Sequence, residues 1–298
     1  MSSHPTGPLG IVALGLAVAG CAGDRMEHRG PSVSPVSSPP VRSGYAPVNG
    51  ISMYYEIHGE AVGTPLVLLH GGGSTIDVTY GRILPFLARH RTVVALEEQG
   101  HGRTTDRDAP VRFDTSADDV AALLATLQVA SADIMGFSNG ANVALRLAIR
   151  HSASVRKLVF ASSITKRAGA APELWGFLAN ATFANMPKPL KDAFLKVNPD
   201  PVKLRTMHDK DLERMQHFVE TTDDEVRSVK APTLVLVGDH DVPTREHALE
   251  LGRLFPHAHL LILPGGHGEY LGELVASNPG PPEPALAAGL IEAFLDGG

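Results

Sequence analysis

Two hydrophobic periods alternate along most of the chain. Around a Val48-Asn49-Gly50-Ile51 turn signal, I-S-M-Y-Y-E-I-H (51–58) alternates residue by residue, which predicts a hairpin with one buried face. P-L-V-L-L-H (65–70) and T-V-V-A-L (92–96) are instead wholly apolar, as in strands covered on both faces. A-D-I-M-G-F (132–137), V-R-K-L-V-F-A (155–161), T-L-V-L-V-G (233–238) and H-L-L-I-L (259–263) are further short strands. Helical periods fall between them. One helix is predicted over Tyr80 to His90. A second, capped by Thr115 or Ser116, carries Val120, Leu123, Leu124 and Leu127 on one face. Others cover Asn139 to His151 and about Pro284 to Leu295. Apolar strands alternating with helices predict an α/β domain with a doubly wound, mostly parallel sheet.

Two segments break the alternation. From about Ser162 to Ser228 the pattern is helical throughout and holds Trp175, Phe177, Phe183, Met186, Phe194, Met207, Met215 and Phe218. Lying between two core strands, it should rise from the sheet edge as a helical cap, with its stripe mostly forming the cap's own core. At the other end, residues 21–44 are rich in Pro, Ser and Gly, the composition of a solvated tether, so the domain is expected over 45–298.

Before the tether, the apolar stretch Leu9 to Gly20 has the length of a signal-peptide core and is too short to span a bilayer. It ends in Val18-Ala19-Gly20-Cys21, which resembles the lipobox of bacterial lipoproteins. That resemblance implies a signal peptide at 1–20, cleavage before Cys21 and lipidation of its thiol. The mature chain would then be exported and held at the cell envelope, on the periplasmic or extracellular face. Cys21 is the single cysteine of the 298 residues, so no internal disulfide is available. A net charge of −6 gives no pull toward nucleic acid, and membrane contact is expected only through Cys21. The 14 His include no H-E-x-x-H pair and there is no C-x-x-C, so neither a metal nor a cofactor is expected.

The candidate chemistry lies at strand ends. In I-M-G-F-S-N-G-A-N (134–142), Ser138 falls between the strand that closes at Phe137 and the helix that opens at Asn139. Glycines on either side remove side chains that would collide in so sharp a turn, and the helix N-terminus favours a developing negative charge. A serine hydroxyl needs a base, and the base an orienting acid. His267 in L-P-G-G-H-G-E-Y (263–270) supplies the base after the last strand. Asp241 in V-G-D-H-D-V-P (237–243) is preferred over Asp239 on the same loop as the acid. An oxyanion hole needs two backbone N–H groups: that of Asn139, and that of Gly72 with Gly73 as second choice. His70, His101 and Glu97-Glu98 are read as structural.

Taken together, H-G-G-G (70–73), E-E-Q-G-H-G-R-T (97–104), G-F-S-N-G, G-D-H-D-V-P and P-G-G-H-G resemble the α/β-hydrolase fold family with a helical cap. The order Ser, Asp, His is that family's order. The resemblance implies a cofactor-independent serine hydrolase that cleaves esters of small to medium acyl groups through an acyl-enzyme. In this family the same triad also serves lactones, amides, C–C bonds and perhydrolysis. A capped-pocket ligand-binding protein with little turnover is the alternative of a different class. Asn139 stands where the family often has Met or Gln, so its side chain reshapes the acyl pocket.

Overall fold

The computed structural model describes residues 42–60, 63–276 and 284–297. Cys21, the apolar stretch before it and the expected tether as far as residue 41 lie outside these residues. The first element, β1 (Arg42–Val48), folds back through Asn49-Gly50 onto β2 (Ile51–His58) in antiparallel register. Arg42, Ser43 and Gly44 pair with Ile57, Glu56 and Tyr55, so β1 takes in the last three residues of the segment assigned to the tether. Backbone pairing with β2 gives those polar residues a place in the sheet that composition does not reveal.

Six further strands are parallel: β3 (Leu66–Leu69), β4 (Val93–Leu96), β5 (Ala132–Phe137), β6 (Val155–Ala161), β7 (Thr233–Gly238) and β8 (Ala258–Leu263). The sheet order is β1-β2-β4-β3-β5-β6-β7-β8, with β2 running antiparallel to β4. Every residue of β3, β4 and β5 is buried. Val67 and Leu69 face one core with α3 (Phe113–Thr126), α4 (Asn139–Arg150) and α9 (Arg245–Leu254). Leu66 and Leu68 face the other with α1 (Ile76–Tyr80), α2 (Leu84–Leu87) and α10 (Pro284–Asp296). Two covered faces are why these strands read as unbroken apolar runs.

Two helices differ from the sequence pattern. In place of one helix over 80–90 there are the short α1 and α2, separated at Gly81, with Pro85 in the first turn of α2. Proline has no N–H and its ring clashes with the preceding turn, so a helix cannot run through it. Helix α3 starts at Phe113 without a side-chain cap, leaving Thr115 and Ser116 inside its first turns. Burial of Phe113 against Phe218 draws that turn into the core, and Ser116 Oγ donates to Glu98 instead, at 3.0 Å.

Between β6 and β7 the chain forms α5 (Pro172–Asn180), α6 (Lys188–Val197), α7 (Pro201–Gln216) and α8 (Asp223–Arg227). Met186, Leu190, Phe194, Leu204 and Met207 pack on one another and on Val78, so this helical insertion has a small core of its own.

Packing is close where α4 meets β3. A Cβ on Gly140 would stand 2.2 Å from the Leu69 carbonyl oxygen and 2.4 Å from that of His70. Gly140→Ala is therefore expected to lower the unfolding free energy by about 1–3 kcal/mol, read from urea titration. Unchanged stability would mean that α4 does not pack this closely.

Candidate active site

The parallel strands end at one edge of the sheet, and the chemical groups gather there. Ser138 joins β5 to α4 with φ 55° and ψ −121°, a strained conformation for a residue with a side chain. Strand and helix meet so closely that a Cβ on Gly136 would lie 2.1 Å from the Gly140 carbonyl oxygen. This leaves room only for glycine on both sides of the turn. The Ser138 N–H donates to Ala161 O at 2.9 Å, fixing the turn to β6 and presenting the hydroxyl at the sheet edge.

Ser138 Oγ lies 3.1 Å from His267 Nε2, and His267 Nδ1 lies 2.6 Å from Asp241 Oδ1. Ionised Asp241 is an acceptor only, so Nδ1 carries the proton and Nε2 is left to accept from the Ser138 hydroxyl. The His267 ring also packs on Phe137, centroids 4.7 Å apart, which restrains its rotation. The Asp241 side chain is wholly buried. Burial alone would raise its carboxyl, but His267 beside it and donors from His267, Ser162 and Gly238 hold it below the usual range. Its oxygens accept from the N–H groups of Gly238 at 2.9 Å and Val242 at 2.7 Å, and from Ser162 Oγ. Tyr270 O–H in turn donates to Ser162 Oγ at 2.6 Å. Asp239 takes a separate position, accepting the Gly265 N–H at 2.8 Å and so tying the His267 loop to the end of β7.

Around Ser138 the backbone donors divide. Gly71 N–H bonds Thr79 Oγ1 at 3.2 Å, and Gly73 N–H bonds Asp211 Oδ2 at 2.7 Å. Among the described residues the N–H groups of Gly72 and Asn139 have no protein acceptor. The two lie together: a Cβ on Gly72 would come within 2.5 Å of Asn139 Nδ2. The Asn139 side chain approaches Asp211, its Nδ2 lying 3.4 Å from Oδ1.

The residues read as structural hold loops. His70 donates from Nδ1 to Gly71 O at 2.8 Å and accepts the Glu98 N–H on Nε2 at 3.0 Å. Desolvation, with His101 nearby, pushes its ring down to about 4, so it stays neutral. His101 donates to Gln99 O at 3.1 Å. Glu97 accepts from the Arg103 N–H at 2.6 Å, and Glu98 accepts from Arg214 at 2.9 Å.

Ser162, Tyr270, Asp211 and Arg214 were not evident from sequence. Ser162 follows a strand, as Ser138 does, but no motif surrounds it. Asp211 and Arg214 lie three residues apart on α7, a spacing that ordinarily means an exposed helical ion pair. A cavity of about 280 Å³ opens above Ser138, between the sheet edge and the insertion, and Phe177, Leu178, Met186, Met215, Val242 and Glu273 are among its walls.

Known proteins resemble this chain in sequence and fold. Residues 64–204 match the family model described as alpha/beta hydrolase fold. The chain is 34 % identical over 139 residues to the 2-hydroxymuconate semialdehyde hydrolase of Pseudomonas sp. CF600, covering 44 % of this chain and 47 % of that enzyme. With the 2-hydroxy-6-oxo-2,4-heptadienoate hydrolase of Pseudomonas putida it is 26 % identical, covering 68 % of this chain and 82 % of the relative. The chain spans about half the length of the first of these and of two further curated relatives, at 47, 44 and 49 %. The solved enol-lactonase of Burkholderia xenovorans LB400 superposes with a TM-score of 0.65 at 23 % identity, covering 85 % of this chain and 99 % of that one. The sheet order, the turn at Ser138 and the match over residues 64–204 show that this chain has the α/β-hydrolase fold.

Proposed function

We propose that the protein is a serine hydrolase that cleaves carboxylic esters of small to medium acyl groups. The observation that carries this reading is the continuous line from Asp241 through His267 to Ser138, beside two unengaged N–H groups. His267 Nε2 takes the hydroxyl proton as Ser138 Oγ attacks the ester carbonyl, and Asp241 stabilises the imidazolium that forms. The N–H groups of Gly72 and Asn139 hold the oxyanion. His267 then protonates the departing alkoxide, and the acyl group stays on Ser138. Water enters, gives its proton to His267 and releases the acid.

The cavity supports a neutral substrate. No Lys or Arg is found among the described residues that line it, while Glu273 and Asp211 do line it. Arg214 lies behind that wall and is engaged by Glu98 and Asp211, so among the described residues no Lys or Arg is free there to receive a carboxylate. A dienoate, as in the name of the Pseudomonas putida relative, carries such a carboxylate. This favours an uncharged ester or lactone over an anionic diketone on the same three residues.

Glu273 bears on the pH behaviour. Burial pushes its carboxyl from 4.5 up to about 7, against the pull of His267 and of the Val275 and Ala276 N–H groups. The folded protein therefore keeps Glu273 protonated over a range where the unfolded chain ionises it. Stability falls as pH rises from about 4.5 to about 7 and is level beyond.

For the N-terminus we propose, from Val18-Ala19-Gly20-Cys21, that the mature chain begins at a lipidated Cys21 and is held at the cell envelope.

Three outcomes are expected. Short-chain nitrophenyl esters should be cleaved and a fluorophosphonate probe should label the protein, while Ser138→Ala loses both by at least about a thousandfold; labelling that persists in this variant overturns the assignment. Glu273→Gln should gain on wild type by up to about 3 kcal/mol between pH 4.5 and 7, measured by urea unfolding, and parallel pH curves would contradict it. Cys21→Ser should move the protein from the membrane to the soluble fraction and remove the mass of the acyl chains. An unchanged mass and fractionation would refute lipidation.

A further inference from the structure

Helix α7 brings a buried carboxylate to the back of the oxyanion loop. Asp211 Oδ2 accepts the Gly73 N–H at 2.7 Å, and Asn139 Nδ2 approaches Oδ1 at 3.4 Å. Asp211 thus touches the neighbours of both free donors: the residue after Gly72 in the chain, and the side chain of Asn139 itself. The contact is close, since a Cβ on Gly72 would fall 2.7 Å from Asp211 Oδ2. No side chain larger than hydrogen fits between them.

The helix that carries Asp211 is fastened on either side. Lys210 Nζ donates to Asp106 Oδ2 at 2.6 Å and to Arg107 O at 2.7 Å. Arg214 bonds Glu98 Oε2 at 2.9 Å and also bonds Asp211 Oδ1, and its guanidinium lies over the Phe113 ring at 4.8 Å. Arg214 and Asp211 side chains are 2 % and 8 % exposed. His101 Nε2 stands 3.6 Å from Asp211 Oδ2 on the remaining side.

Such an acid beside an oxyanion site presents a conflict. A bare carboxylate there would repel the charge that forms on the substrate carbonyl, because nothing screens it in a dry interior. Arg214, which also bonds Glu98, and the His101 ring 3.6 Å from Oδ2 offset that charge from behind while Oδ2 holds the Gly73 N–H. The cluster therefore supplies an anchor with a weakened opposing field.

We propose that Asp211 is the positioning residue of the oxyanion hole, and that Arg214 serves to neutralise it. By occupying Gly73 N–H and drawing the Asn139 amide aside, Asp211 leaves the Gly72 and Asn139 N–H groups aligned on the carbonyl oxygen. The helical insertion thus contributes to transition-state stabilisation through the loop, without touching the reacting atoms. This rests on Ser138, His267 and Asp241 forming the acyl-transfer site.

The test compares four variants with wild type on nitrophenyl butyrate, with circular dichroism and thermal melting to check folding. Asp211→Ala should lower kcat by about ten- to hundredfold with KM within about threefold, since the loss falls on the oxyanion. Asp211→Asn keeps an oxygen for the Gly73 N–H and should retain kcat within about fivefold, which a loss of charge alone would not allow. Arg214→Met leaves the carboxylate unpaired and should lose as much kcat as Asp211→Ala or more. Adding Asp211→Asn to Arg214→Met should then recover at least about fivefold of kcat. Asp211→Ala with wild-type kcat in a folded protein overturns the proposal, as does Asp211→Asn falling as far as Asp211→Ala. Should Arg214→Met not fold, the Ala and Asn pair decides alone. A wild-type protein without ester turnover or fluorophosphonate labelling would instead refute the acyl-transfer reading itself.

Discussion

The rest of the site hangs on one backbone constraint, the contact between the end of β5 and the start of α4. Ser138 sits there at φ 55° because glycines at 136 and 140 allow strand and helix to meet with no side chain between them. That conformation costs of order 1–3 kcal/mol and persists only where the surroundings over-determine it. Here they do: Gly140 packs against carbonyls of β3 and the loop after it, and the Ser138 N–H is bonded to β6. Three neighbouring strands thus hold one turn. Its position fixes the hydroxyl, the Asn139 N–H and the direction of α4 together, so no one of them moves without the others.

Around that turn, charge is buried in two places, and each is compensated before any substrate arrives. Asp241 loses water entirely but collects donors from two backbone N–H groups, Ser162 and His267. Tyr270 extends the line by donating to Ser162. Asp211 is matched by Arg214, with Glu98 on the guanidinium's other side. Unpaired, either acid would be expensive to bury. Paired, they form a fixed arrangement of dipoles with little left to reorganise, which is the condition under which electrostatic stabilisation is most effective. The cavity above Ser138 can then be mostly apolar.

How far this was legible in the sequence follows from what each element buries. The parallel strands were legible because burial on both faces leaves few polar positions in them, and Ser138, Asp241 and His267 were found as polar residues after such runs. Arg42 to Gly44 were not, since they are held by backbone pairing that side chains do not announce. A single helix over 80–90 fitted the apolar period, but Pro85 overrode it. Asp211 and Arg214 were illegible for a different reason. Two opposite charges on an amphipathic helix normally face water, and only the packing of α7 against the E-E-Q-G-H loop and Phe113 puts them inside.

That difference bears on how the two N–H groups proposed as oxyanion donors are held. The Asn139 N–H is the first of a helix anchored in the sheet, so its place follows from the turn at Ser138, and Asp211 reaches it only through the Asn139 side chain. The Gly72 N–H belongs to a glycine loop, whose backbone has the widest freedom of any sequence. Such a loop can keep one conformation only if something outside it accepts its neighbouring N–H groups; Thr79 does so for Gly71 and Asp211 for Gly73. One of these anchors is in the sheet domain and the other is on the insertion that also walls the cavity. Changes in α7 that reshape the cavity therefore act on the loop donor as well. Under the proposed acyl-transfer reading, substrate fit and oxyanion geometry are coupled through a single helix, most directly at the loop donor.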